Sequence, residues 1–136
     1  MSDGSLLPVQ QPARPLRAHE RDLVQALALG VYSRSEIEHR LAHAVVREMS
    51  DGGMGSIRFA SPTSVNPRFG REASVAEYID EDGVLVSITL NLDQDDNLFE
   101  IDLWKADFSP LVRYPAPQDL KLHEVAAHPT RSAVAS

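Results

Sequence analysis

Val84-Leu85-Val86-Ser87-Ile88-Thr89-Leu90-Asn91-Leu92 and the stretch Phe99-Glu100-Ile101-Asp102-Leu103-Trp104 decide how this sequence folds. In the first, Val84, Val86, Ile88, Leu90 and Leu92 alternate with polar Ser87, Thr89 and Asn91. In the second, Phe99, Ile101 and Leu103 alternate with Glu100, Asp102 and Trp104. A period of two sends successive side chains to opposite faces of a strand, so both stretches predict strands. The polar run Asp93 to Asn97 between them predicts a tight turn, hence an antiparallel pair with one buried and one wet face. Trp104 falls on the wet face with Glu100 and Asp102, unless the segment Phe108 to Val112 folds back over it.

Upstream, Val75 and Ile79 lead into Asp82-Gly83, a two-residue hairpin signal. A two-residue turn there sets Glu77 opposite Ile88, on the apolar face beside Val75 and Ile79. A carboxylate in that position either lies at a sheet edge or is a buried acid that needs a partner such as Arg47 or Arg58. Further upstream, Val45, Met49, Ile57 and Phe59 predict a hairpin turning through Asp51-Gly52-Gly53-Met54-Gly55, and residues 61–71 a loop.

Before that hairpin the period is helical. Leu23, Val24, Leu27 and Val31 make one apolar stripe on a helix starting near Arg17, with Glu20 and Asp22 in its first turn. Gly30 is placed to close it in a left-handed cap. Ser33-Arg34-Ser35-Glu36 has the form of a capping box for a second helix, which buries Ile37 and Leu41. A half-wet sheet needs a cover, and these helices are the elements available. The expected fold is α+β: two N-terminal helices on one face of a mostly antiparallel sheet of about five strands. The expected domain spans 14–117, between a flexible arm at 1–13 and a flexible tail at 118–136.

The composition suits one globular domain: 136 residues, 43% hydrophobic and 24% charged. There are no cysteines, which excludes disulfides and thiolate metal sites and makes a reducing cytoplasm the expected compartment. No signal peptide is visible after Met1, and no apolar run approaches the ~20 residues of a membrane span. Eleven arginines against two lysines, in an alanine-rich background, hint at a bacterial genome rich in G and C. The net charge of −7 argues against nucleic acid as a partner. Charge is also unevenly placed. From Arg14 to Arg71 nine arginines face six carboxylates, whereas from Glu72 to Asp107 eleven carboxylates face only Lys105.

Several stretches resemble chemical motifs and fall short of them. Asp51-Gly52-Gly53-Met54-Gly55-Ser56 is glycine-dense, but a phosphate-binding loop opens a helix and a strand follows here. A hairpin turn with a bulge accounts for it. Asp93-Gln94-Asp95-Asp96-Asn97 opens like a calcium loop, yet Leu98 and Trp104 stand where that loop needs Gly and Glu. His39 and His43 lie one helical turn apart without a third metal ligand at suitable spacing. No catalytic residue, cofactor or metal is expected.

Arg14-Pro15-Leu16 ahead of Glu20 and Leu23, then Asp51 to Ser56, then Phe99-Glu100-Ile101-Asp102-Leu103-Trp104-Lys105-Ala106-Asp107-Phe108-Ser109-Pro110-Leu111 together resemble an uncharacterised family of small bacterial domains of unknown function. The resemblance covers roughly residues 14–115. It implies a single bacterial domain and brings no activity, cofactor or site residue with it.

The functional expectation is a non-enzymatic bacterial protein-binding domain, immunity-like or accessory. It would present its acidic sheet face, through Glu100, Asp102 and Trp104, to a basic protein; neither nucleic acid nor membrane is expected as a partner. The alternative is an accessory domain holding a small ligand in a pocket between helices and sheet. An enzyme ranks third.

Overall fold

The computed structural model describes residues 12–123. Two helices, α1 (Ala18–Ala28) and α2 (Arg34–Ala42), precede most of a seven-stranded antiparallel sheet. Its strands are β1 (Arg14–Pro15), β2 (Val45–Glu48), β3 (Ile57–Phe59), β4 (Phe69–Ile79), β5 (Leu85–Asp93), β6 (Leu98–Lys105) and β7 (Lys121–His123). They lie in the order β1-β2-β3-β6-β5-β4-β7. The two strands beyond the expected five are the short edges β1 and β7. No helix among the described residues is long and apolar enough to cross a membrane.

Helix α1 lays Leu23, Val24, Leu27 and Ala28 on the sheet, packing on β4 and β5, and α2 adds Ile37 and Leu41 to the same core. The opposing layer is Val86, Ile88, Leu90, Leu92, Ile101 and Leu103, all buried. Each such side chain contributes roughly 1.5–3 kcal/mol on leaving water. Both helix starts are capped. Glu20 accepts from the Arg17 N–H at 2.8 Å while Arg14 grips both its oxygens. Ser33 accepts from the Glu36 N–H, but Glu36 reaches on to Arg40 rather than back to the cap. Gly30 is not left-handed; α1 ends in a turn in which the amides of Val31 and Tyr32 share the Ala28 carbonyl.

The β4–β5 hairpin corrects the predicted register. Asp80 N–H donates to Val84 O, Gly83 N–H donates to Asp80 O, and Gly83 sits at φ 81°. The turn is therefore three residues, Glu81-Asp82-Gly83, with glycine supplying the left-handed bulge position. One added turn residue exchanges the faces of β4. Ala76 and Tyr78 are buried, Ala76 lies opposite Ile88, and Glu77 lies opposite Ser87 on the wet side. Glu77 is thus not the buried acid: its carboxylate is 37% exposed and pairs with His123 at 3.1 Å.

A similar exchange occurs in β2, where Val46 rather than Val45 is buried, opposite Phe59. Between β5 and β6, Asn91 pairs with Glu100 and Leu92 with Leu98, which leaves Phe99 as an unpaired bulge beneath the Arg58 guanidinium. The ordered chain also passes the expected boundary at 117. A 3-10 turn at Pro117–Asp119 and partly buried Leu120 lead into β7, which pairs with Val75–Glu77 of β4. The remainder of the expected arm and tail, residues 1–11 and 124–136, lies outside the described residues.

Candidate functional site

The sheet face away from the helices carries rows of polar side chains set by the register. Arg47, Arg58, Glu100, Asn91 and Glu72 form one cross-strand row. Asp102, Thr89, Val75 and His123 form the next, and Trp104, Ser87, Glu77 and Lys121 the third. Beyond them Ile79 and Leu85 lie directly opposite each other on the same face. Glu100, Asp102 and Trp104 share this surface, two residues apart along β6.

The acid-rich segment finds many of its counter-charges elsewhere in the fold. Arg58 donates twice to one Glu100 oxygen, at 2.7 and 3.1 Å, and Asn91 donates to the other. Arg71 pairs with Asp96, and Arg113 with Glu81. Asp102 differs. It has no salt bridge among the described residues, and its one hydrogen bond is a long one from Ser56 Oγ at 3.4 Å. Burial raises its pKa, and the neighbouring Glu100 charge raises it further. Of the two acids expected at the surface, Asp102 is the uncompensated one.

Past Trp104 the chain is held by a buried charge cluster. Lys105 is fully buried, and its ammonium donates to Asp80 at 2.9 Å, Asp82 at 2.6 Å and the Pro110 carbonyl at 3.0 Å. Asp80 also accepts from the backbone amides of Glu81, Val112 and Arg113. Burial alone pushes the Asp80 carboxyl up, but the Lys105 hydrogen bond and these amides outweigh it and hold the group well below the usual carboxylate range. The cluster ties the β4–β5 turn, the end of β6 and residues 110–113 into one unit.

That unit displays an aromatic pair. Phe108 is held at φ 64°, a left-handed conformation disfavoured for a bulky side chain, with its N–H on the Lys105 carbonyl. Its ring lies 5.8 Å from that of Trp104. Phe108 is 66% exposed and Trp104 52%, and Ile79 at 59% lies on the same face. The segment following Phe108 therefore does not cover Trp104. Leu111 turns the other way, packing on the core and donating its N–H to Gly53 O.

The glycine-rich loop behaves as a turn. The Asp51 carboxylate accepts from the amides of Met54 and Ser56, so the loop's own side chain occupies the place an anion would take. Met54 Sδ accepts from the Lys105 N–H, and Ser56 Oγ accepts from the Leu103 N–H while donating back toward β6. The turn at Gln94-Asp95-Asp96 repeats the β4–β5 geometry, with Asp96 at φ 63° where Gly83 stood. Asp93 caps it by accepting from Asp95 and Asn97. Among the described residues no three His, Cys, Asp or Glu side chains are grouped to hold a metal.

A family model described as a domain of unknown function, DUF6984, matches residues 13–115. The chain belongs to that family. The DUF6984 span contains the Lys105 cluster, the glycine-rich turn and the Trp104–Phe108 pair, and it ends before β7. Searches of the curated proteins and of the solved structures each find no match.

The Lys105 cluster and Phe108 were missed from sequence. Lys105 was legible, since it shares the inward parity of Ile101 and Leu103 and must be buried with a counter-charge. Phe108 was not, because nothing in Asp107-Phe108-Ser109 signals a left-handed phenylalanine.

Proposed function

We propose that the chain is a non-enzymatic, bacterial, cytoplasmic protein-binding domain, and that it engages a basic protein through the sheet face opposite its helices. The observation that carries this reading is the Trp104–Phe108 pair: two large aromatic side chains, more than half exposed and anchored beside a buried charge cluster. Exposed aromatic surface of this kind, with its backbone fixed by the cluster, suits a binding anchor. Backbone strain at Phe108 supports the same reading, since strained positions concentrate at functional sites. A basic partner follows from the neighbours. Asp102 lies two residues from Trp104 on the same face and lacks a counter-charge, and exposed Asp107 adjoins Phe108. An arginine of the partner could pair with Asp102 and stack on the Trp104 ring.

The test is affinity capture from the native host at low salt, comparing wild type with Trp104→Ala, Asp102→Lys and the distant α2 variant Glu38→Lys. The reading expects one basic protein captured by wild type and by Glu38→Lys, and lost with the other two. Equal capture by all four proteins would remove this face from consideration.

A further inference from the structure

At the far end of β6 from Trp104, a groove of about 520 Å³ runs between the second half of α2 and the ends of β2, β3 and β6. Phe59 and Leu98, both buried, form its floor, and Val45 and Pro62 its apolar wall. This volume falls inside the range of small-molecule sites, and the mix of apolar lining with a few polar groups is theirs as well.

The rim decides the ligand's chemistry. Its fixed charges are already satisfied by each other: Arg40 donates through Nε and Nη2 to Glu36, and through Nη1 to Asn97 at 2.8 Å. The same guanidinium lies 4.2 Å over the Tyr32 ring. A carboxylate ligand would have to displace Glu36 from Arg40, and an ammonium ligand would meet Arg40 itself. The groups left for a ligand are two imidazoles and a hydroxyl. His39 and His43, one helical turn apart, stand with their rings 6.1 Å apart at 80°, and among the described residues neither has a hydrogen-bond partner. Ser61 Oγ accepts from the amides of Thr63 and Ser64, so its hydroxyl proton remains to be donated.

We propose that this groove is a binding site for a small, flat, uncharged aromatic molecule bearing a hydrogen-bonding group. The ring would lie on Phe59 and Leu98 and meet the imidazoles edge to face, an arrangement aromatic pairs favour. The polar group would reach His39, His43 or Ser61. The site is separate from the Trp104 surface and does not depend on that reading.

The experiment is an NMR titration of the full-length protein, following the imidazole signals of His39 and His43 with indole, benzamide, benzoate and benzylamine. Indole and benzamide are expected to shift both histidines saturably, with Kd near ~1 mM as suits fragments of this size. Benzoate and benzylamine are expected to bind about fivefold more weakly or worse, the equivalent of about 1 kcal/mol. Val45→Trp, at a partly exposed wall position, should abolish the shifts. Ala60→Trp, at an exposed lining residue, is a second blocking variant should the first fail to fold. Failure of indole and benzamide to saturate, charged probes binding as tightly, or undiminished binding in a folded blocking variant would each overturn the proposal.

Discussion

Replacing Asp80 with alanine removes the centre of the buried cluster, and the structure sets the size of the effect. Breaking a buried ion pair from one side costs about 3–5 kcal/mol because the other charge stays behind without compensation. Here Lys105 keeps Asp82 at 2.6 Å and the Pro110 carbonyl, so its charge is not abandoned, and the lower end of that range applies. Three backbone amides, those of Glu81, Val112 and Arg113, also lose their acceptor, which keeps the loss from falling below that lower end. The expected loss is therefore about 3 kcal/mol, or a fall in Tm on the order of 10 °C for a domain of this size. Urea unfolding followed by circular dichroism, with Trp104 fluorescence as a second probe, measures it. A loss below about 1 kcal/mol would mean that the Lys105 ammonium reaches water and that the cluster does not hold the 106–113 segment.

The cluster also fixes a pH dependence. Because the folded Asp80 carboxyl titrates below its unfolded value of about 3.9, its stabilisation is complete above that value and is lost as pH falls through the folded one. Wild type should therefore lose more stability than Asp80→Asn between pH 5 and about pH 2 in parallel urea titrations, and matching slopes would refute this. Ile88→Ala, in the fully buried layer, should cost about 2–5 kcal/mol, and Thr89→Ala on the wet face well under half of that; equal costs by the same unfolding assay would shift the face assignment by one residue. Phe108→Gly relieves a left-handed phenylalanine, so its Tm should stay level or rise while partner capture falls. Truncation after Ala116 removes Leu120 and β7 and should lower the Tm by several degrees, whereas an unchanged value would show that β7 adds nothing to the sheet.

The alternation through Val86–Leu92 and Ile101–Leu103 was enough to place β5 and β6, their turn and their buried face. The helical stripe at Leu23, Val24 and Leu27 was enough to place their cover. What failed was register wherever a turn's length had to be guessed. Asp82-Gly83 reads equally as a two-residue turn or as the end of a three-residue one, and only the Asp80–Val84 closure separates them. That single residue moved Glu77 from the expected core to a surface pair with His123, a partner in a strand the sequence reading had assigned to the tail. The charge asymmetry was real as composition but misleading as surface. Arg58 and Arg71, distant along the chain, neutralise Glu100 and Asp96 once folded, and Lys105 absorbs Asp80 and Asp82 internally. Of the three residues of the expected site, Trp104 is exposed, Asp102 is half-buried without a counter-charge, and Glu100 is tied down by Arg58 and Asn91.

The binding surface itself is tested most directly by a photo-crosslinking phenylalanine analogue at position 108, expressed in the native host and irradiated in living cells. A crosslinker at Glu38, exposed on α2, serves as the reference. The account predicts one discrete adduct to a basic protein from position 108, diminished when Asp102→Lys is added and absent from position 38. No adduct from position 108, or the same adducts from both positions, would contradict it.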